Sequence, residues 1–363
     1  MIPGVLSLCA LVGILAISIP LASQLVQAQA QPDAQPAPLG SPVINVDAGA
    51  FDPASLTEVL EFLPSTVRIP AGGAVHWTIK GFHNVAFASG EPYPPLILPL
   101  PGEQDVQVNP LVAFPVQPQP TYDGSGYFNS GLPPEPEQPF AWTLTFSQPG
   151  TYEYACIVHP NMKGYVVVEP AGTAVPSQAE VTAQGEREAQ AYLAAARAKA
   201  AQQEATSEPQ PGGGTLWTVP MDIPDNQQVA VHRYFPQHLV VQAGDTVRWV
   251  NQALTEPHTV TFRAGAPAER EFVPRPQPEG PPLIVSNPRV FPPVLPPAPE
   301  RYDGRSYANS GFLGEEFPFG KEFRLTFTEP GQYPYVCVLH EALGMAGFIT
   351  VTPAGSAVPP ANP

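Results

Sequence analysis

The chain has 363 residues, enough for two or three domains, and its Lys+Arg 16 against Asp+Glu 32 leaves a net charge of −16, too acidic and base-poor for a nucleic-acid binder. Hydrophobic residues make up 43%, which excludes a disordered chain, and charged residues only 13%, which excludes coiled coils and long solvated helices. Pro 51 and Gly 30 follow no period, so collagen is excluded and loop-rich β structure is favoured.

Residues 1–30 come first. The run 5–21 is almost wholly apolar, and Ala28-Gln29-Ala30 is an A-x-A cleavage pattern, so this segment reads as a secretory signal peptide. The first base is Arg68, so a charged n-region is missing, and the run is long. An uncleaved N-terminal membrane anchor is therefore the alternative reading. Cys9 follows Leu8, not the small residue of a lipidation site. Both readings place the rest of the chain in the periplasm or on the extracellular face. The other two cysteines, Cys156 and Cys337, lie one in each half, which excludes a disulfide framework. Free thiols are a liability in an oxidising compartment, and metal ligation is one way to keep them.

A Pro-rich leader, 31–43, precedes a duplicated sequence. Tyr122-Asp123-Gly124 and Asn129-Ser130-Gly131 return 180 residues later as Tyr302-Asp303-Gly304 and Asn309-Ser310-Gly311. Pro94-Pro95-Leu96-Ile97 returns as Pro281-Pro282-Leu283-Ile284, and Leu144-Thr145-Phe146 as Leu325-Thr326-Phe327. A repeat this long is a domain, so we expect domains over 44–172 and 216–354, a linker over 173–215 and a tail over 355–363. The first domain region is the more acidic: 41–176 holds 12 acids and 3 bases, against 14 acids and 10 bases from 211 onward.

Each copy reads as β. Val75, Trp77 and Ile79 alternate with His76 and Thr78, and Val247 and Trp249 flank Arg248, the period of a half-buried strand. His76 is expected on the outer face, where Arg248 stands in the other copy. Closing strands are expected over 165–168 and 348–351. The Tyr-Asp-Gly and Asn-Ser-Gly segments read as turns bracing a long loop. The Pro-rich stretches 92–120 and 273–299 read as stiff covering loops. Between the copies, Ser177-x-x-Glu180 is a capping box opening an Ala/Gln/Glu-rich helix to about 205. Its large apolar anchors are Val181, Tyr192 and Leu193, and it reads as a spacer. His232 and His238 carry no functional signal.

The chemistry lies in one constellation, present twice. Cys156-x2-His159-x2-Met162 follows a strand, and Cys337-x2-His340-x4-Met345 follows its counterpart. Upstream lie His83 and His258, each in a matching strand context. Two imidazoles, one thiolate and one thioether are the ligands of a blue-copper site. Four of the seven histidines and both remaining cysteines fall in this pattern. Zinc rarely takes a thioether, and copper has the higher intrinsic affinity.

On these residues each half resembles a cupredoxin, the first loop like amicyanin and the second like plastocyanin, over 83–164 and 258–347. The resemblance implies an all-β chain of two Greek-key β-sandwiches joined by a helical linker, each sandwich holding one type 1 copper. It implies His83, Cys156, His159 and Met162 as ligands of one copper, and His258, Cys337, His340 and Met345 as ligands of the other. The implied function is passage of single electrons between redox proteins such as cytochromes or terminal oxidases. In the family an Asn after the first His braces the Cys loop. Asn84 matches and Thr259 does not, so the second site's hydrogen bonding, and its potential, should differ. Lys163 and Glu341 beside the two sites add opposite charges, so unequal potentials are expected without a rank.

Nitrite reductases and multicopper oxidases built on this fold hold further copper with histidines flanking Cys and with H-x-H pairs. Here Ala155, Ile157, Val336 and Val338 flank the cysteines and no H-x-H occurs. An electron carrier, not an enzyme, is therefore expected. A copper-binding surface or homeostasis protein is the alternative, although Met-rich and C-x-x-C motifs are missing.

Overall fold

The structure, a computed structural model, describes residues 42–358 apart from 104, 135–139, 160, 225–226, 291–299 and 316–319. The segment 1–30 lies outside the described residues. Among the described residues, no helix is long and apolar enough to cross a membrane.

Each copy folds as two facing sheets. In the first, a sheet built on Val43–Asp52, Ala74–Ile79 and Phe140–Phe146 faces one built on Thr66–Pro70, Lys163–Glu169 and Gly150–Ala155. In the second, Thr215–Met221, Thr246–Asn251 and Glu322–Phe327 face His238–Gln242, Ala346–Thr352 and Gly331–Val336. Alternation along these strands turns Val75, Trp77 and Ile79 inward, all fully buried, with Val247 and Trp249 in the same role. His76 is half-buried on the other face, its Nδ1 2.8 Å from Thr143 Oγ1.

The two sandwiches are joined by more than a linker. Strand Val229–Val231 of the second copy pairs antiparallel with Thr57–Leu63 of the first and extends its sheet. Glu58 pairs with Ala230, and each lies six residues before a proline, Pro64 or Pro236. Equivalent edges thus meet about a local two-fold axis, as in an isologous dimer interface.

The Pro-rich stretches differ from the expected covering loops. Parts of them form a four-stranded sheet shared between copies, in the order Phe272–Arg275, Leu283–Ser286, Val106–Val108, Ile97–Pro99. Its prolines within strands, Pro99 and Pro274, sit on the two edges, where a missing N–H costs no ladder bond. Arg275 Nη1 meets Glu103 Oε2 at 2.8 Å across this junction.

The helix Gln178–Ala200 is capped as expected, with Ser177 and Glu180 bonded reciprocally. It is a clasp and not merely a spacer. Leu193 and Ala196 are buried with Val59 and Leu63 of the first copy and Ile223, Val229, Val231 and Phe235 of the second. Gly185 permits the approach, because a Cβ there would lie 2.8 Å from the Leu63 carbonyl. At the end of the linker, Thr206–Pro209 pairs with Thr215–Thr218 as an edge strand of the second copy.

Candidate metal centres

In each copy the strand Gly150–Ala155 or Gly331–Val336 ends one residue before the cysteine, and the loop that follows carries His and Met. The first loop closes with Met162 N–H on His159 O and Cys156 N–H on Met162 O. In the second loop the two extra residues wind into a 3₁₀ turn, Glu341–Leu343, ended by Gly344 at φ 95°. Cys337 N–H again donates to the carbonyl of its methionine, Met345. Met162 and Met345 are buried in the same cores as Cys156 and Cys337.

Cys156 Sγ lies 3.8 Å from His83 Nδ1 and 3.6 Å from His159 Nδ1. Cys337 Sγ lies 3.9 Å from His258 Nδ1 and 3.4 Å from His340 Nδ1. The four separations are alike, between 3.4 and 3.9 Å. They suit a metal, because bonds of about 2.3 Å to sulfur and 2.0 Å to nitrogen at 120° separate S from N by about 3.7 Å. His258 Nδ1 also faces His340 Nδ1 at 3.2 Å, where two nitrogens cannot both donate. A cation between the lone pairs removes that conflict, so the donor set fits a copper ion.

The imidazole nitrogens facing away from the cysteines meet carboxylates. His83 Nε2 is 3.3 Å from Glu58 Oε1, and His258 Nε2 is 3.0 Å from Asp222 Oδ2. His159 Nε2 is 3.4 Å from Glu256 Oε2, and His340 Nε2 is 3.0 Å from Glu256 Oε1. At His258 and His340 the hydrogen-bonded carboxylate holds the proton on Nε2 and leaves the Nδ1 lone pair for a metal, while His83 and His159 face their carboxylates without a hydrogen bond. Glu58, Asp222 and Glu256 are all buried. Burial raises the Glu256 carboxyl, but the nearby imidazoles of His159 and His340 outweigh it and hold Glu256 well below the carboxylate range. Burial likewise pushes the Cys156 thiol up, and His159 and His83 bring it down to about 5.

The two sites take different carboxylates for a local reason. Gly49 and Asp222 each lie three residues beyond the strand position paired with the buried Trp, Val46 or Val219, and both have positive φ, 83° and 58°. Asp222 reaches His258 from this position. At Gly49 a Cβ would lie 2.6 Å from His83 Nε2, so Glu58 serves instead, entering beside Gly81.

The bracing hydrogen bonds correct one expectation. Asn84 Oδ1 accepts from Ile157 N–H at 2.7 Å, and Thr259 Oγ1 accepts from the equivalent Val338 N–H at 2.9 Å. A hydroxyl therefore does the work of the amide. Thr259 N–H also points at Cys337 Sγ, 3.3 Å away. The opposite charges are each neutralised, Lys163 by Glu153 at 2.9 Å and Glu341 by Arg263. Asn129 behaves as a brace, its Nδ2 donating to the carbonyls of Leu111, Val112 and Phe114.

His232 was missed by the sequence reading. It is fully buried, with Nε2 3.0 Å from Glu58 Oε2, and one of its nitrogens lies within 4.8 Å of nitrogens of His258 and His340. Its ring stacks on His340 at 4.2 Å and 23°. Stacked imidazoles cannot aim in-plane lone pairs at one ion, so Cys337 completes the second triangle and His232 backs it. The readable signals were a charged residue inside the apolar run of Thr57–Leu63 and an acid two residues before His258. His238 is exposed and stacks on Phe348.

The profile of the copper binding proteins of the plastocyanin/azurin family matches residues 308–352. Amicyanin-alpha of Methylorubrum extorquens is 36% identical over 134 residues, 34% of this chain and 83% of that protein. The chain belongs to the plastocyanin/azurin family. Solved amicyanin variants in oxidised and Cu(I) forms align with 41% of this cupredoxin and 99% of their own chains, at 22% identity and a TM-score of 0.22.

Proposed function

We propose that this cupredoxin is an exported electron carrier with two type 1 copper sites, one held by His83, Cys156, His159 and Met162 and the other by His258, Cys337, His340 and Met345. The observation that carries the reading is the pair of buried His–Cys–His triangles, with Sγ to Nδ1 distances of 3.4 to 3.9 Å. Copper bound there supplies a reversible one-electron couple. The protein's part is to fix the tautomer of His258 and His340, brace the cysteine loops through Asn84 and Thr259, and keep water out. Preset ligands reorganise little when charge changes, which suits a carrier. Partners are redox proteins such as cytochromes or terminal oxidases on the outer side of the membrane, reached through a segment 1–30 that exports or anchors the chain.

A carrier reading is favoured over an oxidase because residues beside the cysteines, Ala155, Ile157, Val336 and Val338, offer no ligand for a further copper. The test is stopped-flow mixing of reduced, copper-loaded protein with an oxidised c-type cytochrome. Second-order reoxidation is expected. Stable copper binding with no electron exchange would favour a role in copper handling.

A further inference from the structure

Among the described residues, Glu256 is the one whose side chain meets a candidate ligand of each centre. It belongs to the second copy, two residues before His258, yet one carboxylate oxygen faces His159 of the first copy at 3.4 Å and the other faces His340 at 3.0 Å. His159 and His340 are both only 7% exposed. The Nε2 edges of His159 and His340 thus point at a single buried anion. This junction is fixed from both sides by the shared edge pairing of Thr57–Leu63 with Val229–Val231 and by the shared four-stranded sheet. Glu58 makes a second crossing, with Oε1 at His83 and Oε2 at His232, the ring stacked on His340. Asp222, by contrast, meets only His258 among the candidate ligands, at 3.0 Å.

We propose that Glu256 is a shared positioning residue that makes the two centres one coupled pair, and that the path His159–Glu256–His340 carries an electron between the domains inside the molecule. The proposal rests on the two-copper reading. In the step, one electron leaves a reduced centre, whose copper goes from Cu(I) to Cu(II), and arrives at an oxidised centre, whose copper goes from Cu(II) to Cu(I). No bond forms or breaks. The His340 Nε2 proton stays on its imidazole, hydrogen-bonded to Glu256 Oε1, while Glu256 Oε2 faces His159 Nε2 at 3.4 Å. A buried anion beside both ligand sets favours the more positive oxidised state at both, so it should lower both potentials.

The experiment uses the full chain, with each site read alone in a Cys337→Ser or Cys156→Ser background. Redox titration and electron paramagnetic resonance then compare Glu256→Gln with Asp222→Asn. Glu256→Gln keeps size and a hydrogen-bonding group, and thermal melting checks that each variant is folded. The expected result is that Glu256→Gln raises the midpoint of both sites, by about a tenfold change in the oxidised-to-reduced ratio, 59 mV for one electron. Asp222→Asn should move only the second. Glu256→Gln shifting the second site alone, or neither, would overturn the coupling while leaving two coppers in place. A wild-type protein with one copper would instead overturn the reading beneath it.

Discussion

Thr259 and Asn84 do one job with different groups, and the second is testable alone. Thr259→Val keeps the shape and deletes the hydroxyl that accepts from Val338 N–H. A buried N–H left without a partner costs about 1–3 kcal/mol. We expect the urea midpoint to fall accordingly and the second site's potential to move while the first stays. An unchanged midpoint and potential would show that the hydroxyl does not brace the cysteine loop. The ligand candidates were legible because Cys, His and Met are scarce in this chain and recur at fixed spacing. The carboxylates behind them were not. Glu58 lies in one copy and contacts a histidine of each, and Glu256 reaches His159 across the junction. No spacing in one chain segment encodes such a contact.

The linking helix carries two further tests. Ala is the better helix former than Gly by about 0.5–1 kcal/mol, so Gly185→Ala would stabilise an exposed spacer. Here the added Cβ meets the Leu63 carbonyl at 2.8 Å, so we expect a lower melting temperature. A rise would mean that the helix does not pack where it is described. Nearby, burial and then the Glu188 charge raise the Glu61 carboxyl from 4.5 to about 7. Its folded pKa exceeds its unfolded one, so its stabilising contribution is full below 4.5 and is lost as pH rises through about 7. Glu61→Gln should therefore lose less melting temperature than wild type between about pH 5 and 8, a window set by those two pKa values. Equal pH slopes would contradict the burial of Glu61. The sandwiches and the capping box of this helix were readable from alternation and Ser177-x-x-Glu180. The role of the Pro-rich stretches was not, because proline forbids only the inner strands of a sheet and Pro99 and Pro274 occupy edges. Which edge they meet depends on the other copy.

Two copies share a sheet edge, a four-stranded sheet and the apolar cluster under the helix, so they should unfold together. Calorimetry is expected to give one cooperative transition, and two separable transitions would show that the junction is weak. With both inner imidazoles facing Glu256, the molecule differs from two independent carriers on a tether. The carrier reading depends on the duplicated His–Cys–His–Met sets holding copper. The most direct measurement is copper content together with the visible thiolate-to-copper band in the purified full chain, in Cys156→Ser and in Cys337→Ser. The account predicts two coppers and an intense band in the wild type, with copper and band each halved in either variant. A wild-type content near one copper, zinc as the bound metal, or a band that survives intact in one of the variants would contradict it.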